Sequence, residues 1–251
     1  MLSGQIYDMI NKINLSGFKT ALEELLESSI YNEMSFIDRI SILLEREVIF
    51  RENKAIQRKL MDAKLKLKAS LEDIKIDSQR GIDSNLLKNF MSTKWITDKK
   101  DVIIVGPTGS GKTFFSSSLA EKACRNNFKA RYYRTQALLS ELLFAAADGS
   151  FKLFLARLEK YHVLIIDDWA LQSISENEQK YFFELIAARN EHSSTVFVSQ
   201  TPVSKWHSLM PNSTIADAIL DRIVHSAMRV ELKGESHRKT KNAQNEKAVE
   251  A

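Results

Sequence analysis

The chain holds one cysteine, three prolines and eight glycines in 251 residues. A lone thiol, Cys124, excludes an internal disulfide framework and fits a reducing compartment. All three prolines and most of the glycines lie after residue 80. The first part is therefore nearly free of turn punctuation, which favours helices. No apolar run approaches the ~20 residues needed to cross a bilayer. Met1 to Ile13 lacks the basic stretch followed by an apolar one that marks a secretory signal. These absences predict a soluble, cytoplasmic protein with no membrane partner. A strong charge excess is missing too: 36 basic residues face 32 acidic ones, for a net +4, so the placement of the charges matters more than their sum. The five histidines show no metal-ligand spacing with Cys124, and no G-x-S-x-G elbow is present.

What is present supports a packed core: 44% of residues are hydrophobic and 27% charged, which excludes wholesale disorder. Phe18, Leu22 and Leu25 recur at helical spacing, as do Ile37, Ile40, Leu44 and Val48 after a capping start at Ser35 and Asp38. The second pattern predicts a helix running on to about Lys68. Its last part is basic, with Arg51, Lys54, Arg58, Lys59, Lys64, Lys66 and Lys68 against Glu52 and Asp62. That surface suits either a nucleic-acid backbone or plain solvation. Residues 1–70 read as a small all-helical domain, and the polar stretch "DSQRGIDS" from Asp77 marks the junction.

Beyond it the pattern changes. Five short β-prone runs, "DVIIV", "ARYYR", "VLIID", "TVFVS" and "RVELK", alternate with helical stretches. One of these helices opens with Ser175 and Glu178 as a capping box. Alternation of this kind predicts an α/β domain over 71–233 with a five-stranded parallel sheet covered on both faces. The residues from 234 to 251 are polar and charge-rich and read as a disordered tail.

The segment Gly106-Pro107-Thr108-Gly109-Ser110-Gly111-Lys112-Thr113 fits the phosphate-loop pattern G-x-x-x-x-G-K-[ST] in full. The glycines let backbone N–H groups converge on phosphate oxygens, and the following helix adds its positive end. Lys112 reaches the outer phosphates as a point charge, and Thr113 offers an oxygen to Mg²⁺. A strand before the motif and a helix after it supply the required context. At the end of the apolar run "HVLIIDDWA", Asp167 is the candidate metal carboxylate and Asp168 the candidate for polarising the attacking water. A third polar point is expected on a strand between these two, where either Ser199 or Gln200 would orient water or sense the γ-phosphate.

With those motifs in hand, the chain resembles the IstB-type ATPases of insertion sequences and, more distantly, the DnaC-type helicase loaders, both of the AAA+ class. The likeness runs through "SFIDRISILLEREVIFREN", "LEDI", "GPTGSGKT", "ADGSF", "LIIDDW", "SQTPVSKWH", "ADAILDRIVH" and "ELKGESHRK". It implies an AAA+ P-loop fold, ATP and Mg²⁺ as ligands, assembly of a homo-oligomeric ring or spiral on duplex DNA, and cooperation with an IstA-like transposase. It further implies that Arg222, with Arg229 as runner-up, reaches the neighbouring subunit's nucleotide; the alternative for Arg222 is an ion pair with Asp217 or Asp221. Two departures from the AAA+ pattern stand out: the position usually held by glutamate is Asp168, and the short polar tail leaves no material for a C-terminal helical lid. Competing readings are a replicative helicase loader and a monomeric small-molecule kinase.

Overall fold

The computed structural model describes residues 2–28, 31, 33–225 and 227–234. The tail expected at 234–251 lies, after Gly234, outside them. The chain forms two compact units, Met1–Arg58 and Lys59–Ala251. The division falls inside a helix, and residues 59–70, grouped above with the helical part, belong to the second unit.

The first unit contains α1 (Leu2–Lys12), α2 (Ser16–Glu27) and most of α3 (Phe36–Ala63). The Ser35 hydroxyl accepts from the Asp38 amide at 3.2 Å, as the capping pattern predicts. The buried Glu47 on α3 accepts from the Phe18 amide at 3.0 Å and from Arg51 at 2.6 Å, so one carboxylate satisfies an orphan N–H at the start of α2 and a guanidinium. The helix expected to reach Lys68 ends at Ala63. Lys64 adopts a left-handed conformation with φ 49°, which cannot continue a right-handed helix.

The second unit continues with α4 (Ser84–Met91), α5 (Lys94–Thr97), β1 (Val102–Val105), α6 (Lys112–Arg125), β2 (Ala130–Arg134), α7 (Thr135–Ala147), α8 (Phe151–Glu159), β3 (Val163–Trp169), α9 (Glu176–Arg189), β4 (Ser194–Ser199), α10 (Ser213–Val224) and β5 (Met228–Glu231). The five strands are parallel, in the order β2-β3-β4-β1-β5. All five runs expected as strands are therefore strands, and β4 lies between β3 and β1. The capping box at Ser175 and Glu178 forms at the start of α9.

Alternation along the strands feeds two cores. Ile103, Leu164, Ile166 and Phe197 point to the side covered by α7, α8, α9 and α10. Val102, Ile104, Ile165 and Val198 point to the side of α4, α5 and α6. Burial on both faces accounts for the near-continuous apolar character of the strands. The expected α/β sandwich with a helical N-terminal part is thus the observed architecture. Among the described residues no helix follows β5, and none is long and apolar enough to cross a membrane. Because the strands are parallel, the carboxyl ends of β1, β3 and β4 open together, which is where such sheets place ligands.

Candidate nucleotide-binding site

The phosphate loop leaves β1 at Val105 and enters α6 at Lys112. A side chain at Gly106 would put its Cβ 2.3 Å from the Leu232 carbonyl oxygen, so only glycine lets the loop pass the end of β5. Gly109 and Gly111 take φ of 81° and 97°, left-handed values that turn the backbone inward. Lys112 is buried and its Nζ donates to the carbonyls of Gly106 at 2.7 Å and Pro107 at 2.8 Å. Burial lowers its pKa, while the carboxylates of Asp167 and Asp168 pull it back up.

Asp167, at the end of β3, is 2% exposed. Its Oδ2 accepts from Thr113 Oγ1 at 3.1 Å and from the Tyr132 hydroxyl at 2.7 Å, and its Oδ1 accepts from the Asp168 amide at 2.9 Å. Burial, and then the hydrogen bond to Asp167, push the Tyr132 phenol's pKa up, so it remains a proton donor. A hydroxyl and a carboxylate side by side are hard oxygen donors. They fit Mg²⁺, which takes one or two side chains and completes its shell with phosphate and water.

Asp168 sits in the left-handed region with φ 59°, where β3 and β4 slip register between Ile166 and Trp169. The turn is braced from both sides. Trp169 stacks on Phe182 with centroids 4.4 Å apart and meets Phe197 and Trp206 edge-on or nearly so. The hydroxyls of Ser199 and Thr201 donate to the Trp169 and Ala170 carbonyls at 2.6 and 2.7 Å. Arg134, at the end of β2, lies 3.5 Å from Asp168 Oδ2, and both side chains are partly exposed.

The loop from Thr108, with Arg134, Asp167 and Asp168, lines a cavity of about 1040 Å³, room for a nucleotide. Its lining takes in Thr108–Phe115, Asp167 and Asp168, the apolar side chains of Leu67, Ile74, Ile82 and Leu232, and the charged Lys66, Asp73, Lys75, Asp77 and Arg80. Arg80 also donates to the Ser110 carbonyl at 3.3 Å.

The site residues read from sequence fall in three groups. Gly106 to Thr113, Asp167 and Asp168 converge. Ser199 does not reach the cavity: it is fully buried and its hydroxyl is committed to Trp169 and Thr201. Its neighbour Gln200 lines the cavity and accepts from Thr108 Oγ1 at 2.5 Å. Arg222 and Arg229 lie outside the cavity wall. Arg222, in the last turn of α10, donates to the Ala218 carbonyl at 2.7 Å and rests over the Phe183 ring. Among the described residues it makes no ion pair; Asp217 instead faces His207 at 3.3 Å. Sequence reasoning missed Tyr132 and Arg134, whose positions come from the pairing of β2 with β3 rather than from any motif.

Comparison with known proteins agrees with this geometry. A family model described as IstB-like ATP binding protein matches residues 8–245. A relative from Sinorhizobium fredii (strain NBRC 101917 / NGR234), named as an insertion sequence ATP-binding protein, is 36% identical over 239 residues, covering 95% of this chain and 98% of its own. The ATP-binding protein of insertion sequence IS1162 from Pseudomonas fluorescens is 37% identical over 205 residues, covering 81% and 89%. Among solved structures, the DnaC helicase loader matches with a TM-score of 0.53 at 18% identity, over 66% of this chain and 97% of that one. DnaI matches with 0.56 at 21% identity, over 70% and 94%. At such identities these likenesses speak for the fold alone, which is the one seen in DnaC and DnaI. A phosphate loop in its strand-to-helix setting, a buried carboxylate against its threonine and a match over nearly the whole sequence make one statement: this chain belongs to the family of IstB-like ATP binding proteins.

Proposed function

We propose that the protein is a magnesium-dependent ATPase that assembles as an oligomer on duplex DNA and assists the transposase of its own insertion sequence. The observation that carries the ATPase part is the contact between Thr113 and Asp167 at the foot of a nucleotide-sized cavity. The names of the relatives, which place them in insertion sequences, support the transposition part.

In this reading the loop amides and the N-terminal end of α6 hold the phosphates. Lys112 leaves the Gly106 and Pro107 carbonyls to meet the outer phosphates. Thr113 and Asp167 hold Mg²⁺, which neutralises charge on the β- and γ-phosphates when bound. Asp168 takes the proton side of the attacking water, after release from Arg134. Gln200 takes the sensing role, since it touches the loop and Ser199 does not. Arg222 acts on the nucleotide of an adjacent copy; its contacts to Ala218 and Phe183 are individually modest and readily exchanged. The lysines and arginines near the end of α3 contact the DNA backbone, an interaction that weakens steeply with salt.

The deciding experiment is a footprint on duplex DNA with and without ATP, combined with co-purification of the transposase encoded beside it. ATP-dependent protection and a bound transposase are expected. Lack of ATP-dependent DNA binding at moderate salt would defeat the proposal. Capture of a hexameric helicase, with preference for single strands, would replace it with the loader reading.

A further inference from the structure

The β2–β3 register sets Tyr132 opposite Ile165 and Arg134 opposite Asp167. Side chains alternate along a strand, so Tyr132 shares a face with Ile165 and Asp167, the face covered by α6. From there its hydroxyl reaches one step along β3 to Asp167 Oδ2 at 2.7 Å. Three donors therefore fix this buried carboxylate: Tyr132 and Thr113 on Oδ2, and the Asp168 amide on Oδ1. Of the three, the Thr113 bond is the one a cation would replace, because a hydroxyl ligates through its oxygen and must turn its proton away. Tyr132 would then be the side-chain donor left on Oδ2.

We propose that Tyr132 is a positioning residue for magnesium: its phenol holds the Asp167 carboxylate so that the remaining lone pair of Oδ2 faces Thr113 and the phosphate loop. The assignment rests on the nucleotide reading above. Loss of a bond that orients a metal-ligating group commonly lowers metal affinity by a factor of roughly 10–100. Tyr133 offers a comparator on the same strand. It faces the other side of the sheet and gives its hydroxyl to Glu141 at 3.0 Å, away from Asp167.

The test uses the full chain and a fluorescent, non-hydrolysable ATP analogue. Its affinity is measured in EDTA and across a titration of free Mg²⁺, for wild type, Tyr132→Phe and Tyr133→Phe. In Tyr132→Phe the half-saturating Mg²⁺ concentration is expected to rise roughly tenfold, with EDTA affinity unchanged and Tyr133→Phe tracking wild type. Superposed Mg²⁺ curves for Tyr132→Phe and wild type would overturn the proposal. So would an equal loss of affinity in EDTA and in Mg²⁺, which would assign the phenol to strand stability alone. A wild-type protein that binds no analogue, or binds it without regard to Mg²⁺, would instead remove the nucleotide reading and this proposal with it.

Discussion

Gln200 accepts a hydrogen bond from the Thr108 hydroxyl at 2.5 Å, joining the end of β4 to the phosphate loop. Ser199, one residue earlier, faces the other way and clamps the turn after Asp168. The two neighbours should therefore fail differently. Gln200→Ala is expected to keep ATP affinity within a few-fold while slowing turnover by ~10²-fold, the size of a positioned polar group's contribution. Ser199→Ala strands a buried carbonyl and should cost about 1–3 kcal/mol of stability. Steady-state ATPase assays and urea midpoints separate them; a Gln200→Ala enzyme with normal turnover would remove its sensing role.

Lys112→Ala should abolish ATP binding and with it assembly on DNA. Asp168→Asn should still bind ATP and form assemblies, but they should persist because the nucleotide is not turned over. Equilibrium nucleotide binding and gel-shift lifetimes are the measurements. Assembly retained by the Lys112 variant would mean that nucleotide is not its trigger.

Arg222→Ala should leave ATP affinity intact and cut hydrolysis by ~10³-fold or more, as loss of an arginine acting in trans does elsewhere. Mixing it with Lys112→Ala subunits tests the geometry. The first variant supplies a working loop and the second a working arginine, so a mixture should recover part of the activity that neither has alone. Unchanged hydrolysis in the Arg222 variant would pass the role to Arg229.

Asp101, just before β1, accepts from the Thr195 amide at 2.6 Å. Burial pushes its carboxyl up to about 7, against the pull of that amide and of the buried Arg189 guanidinium. The folded state thus holds a proton that the unfolded chain, with an ordinary value near 3.8, has already released. Stability should fall as pH rises between those values, by at most about 1.4 kcal/mol per pH unit from this group, and level off above the folded pKa. In Asp101→Asn this component should vanish. Urea unfolding of both proteins from pH 5 to 8 shows it as a difference in slope, and parallel slopes would refute it.

The fold was legible because burial writes itself into the chain. Strands such as Val163–Ile166 are apolar throughout since both faces are covered, and Ser175 with Glu178 announces a helix start by local chemistry. The glycines and Lys112 were equally legible, because a backbone that wraps phosphate needs those residues at that spacing. Other features leave no local trace. The halt of α3 at Ala63 depends on the backbone of Lys64, at a residue type with no bias for the left-handed region. The choice between Ser199 and Gln200 turns on which way a strand end faces. The contact of Tyr132 with Asp167 depends on register between strands 35 residues apart.

The left-handed backbone at Asp168 bears on residue choice. Asparagine and aspartate enter that region far more readily than longer side chains, because a short polar group bonds locally and relieves the clash with the following carbonyl. Replacing Asp168 with glutamate would thus be no simple lengthening of a lever. The larger side chain would work against the turn and draw on the aromatic cage to hold it, so the shorter acid is the one this peptide geometry accommodates.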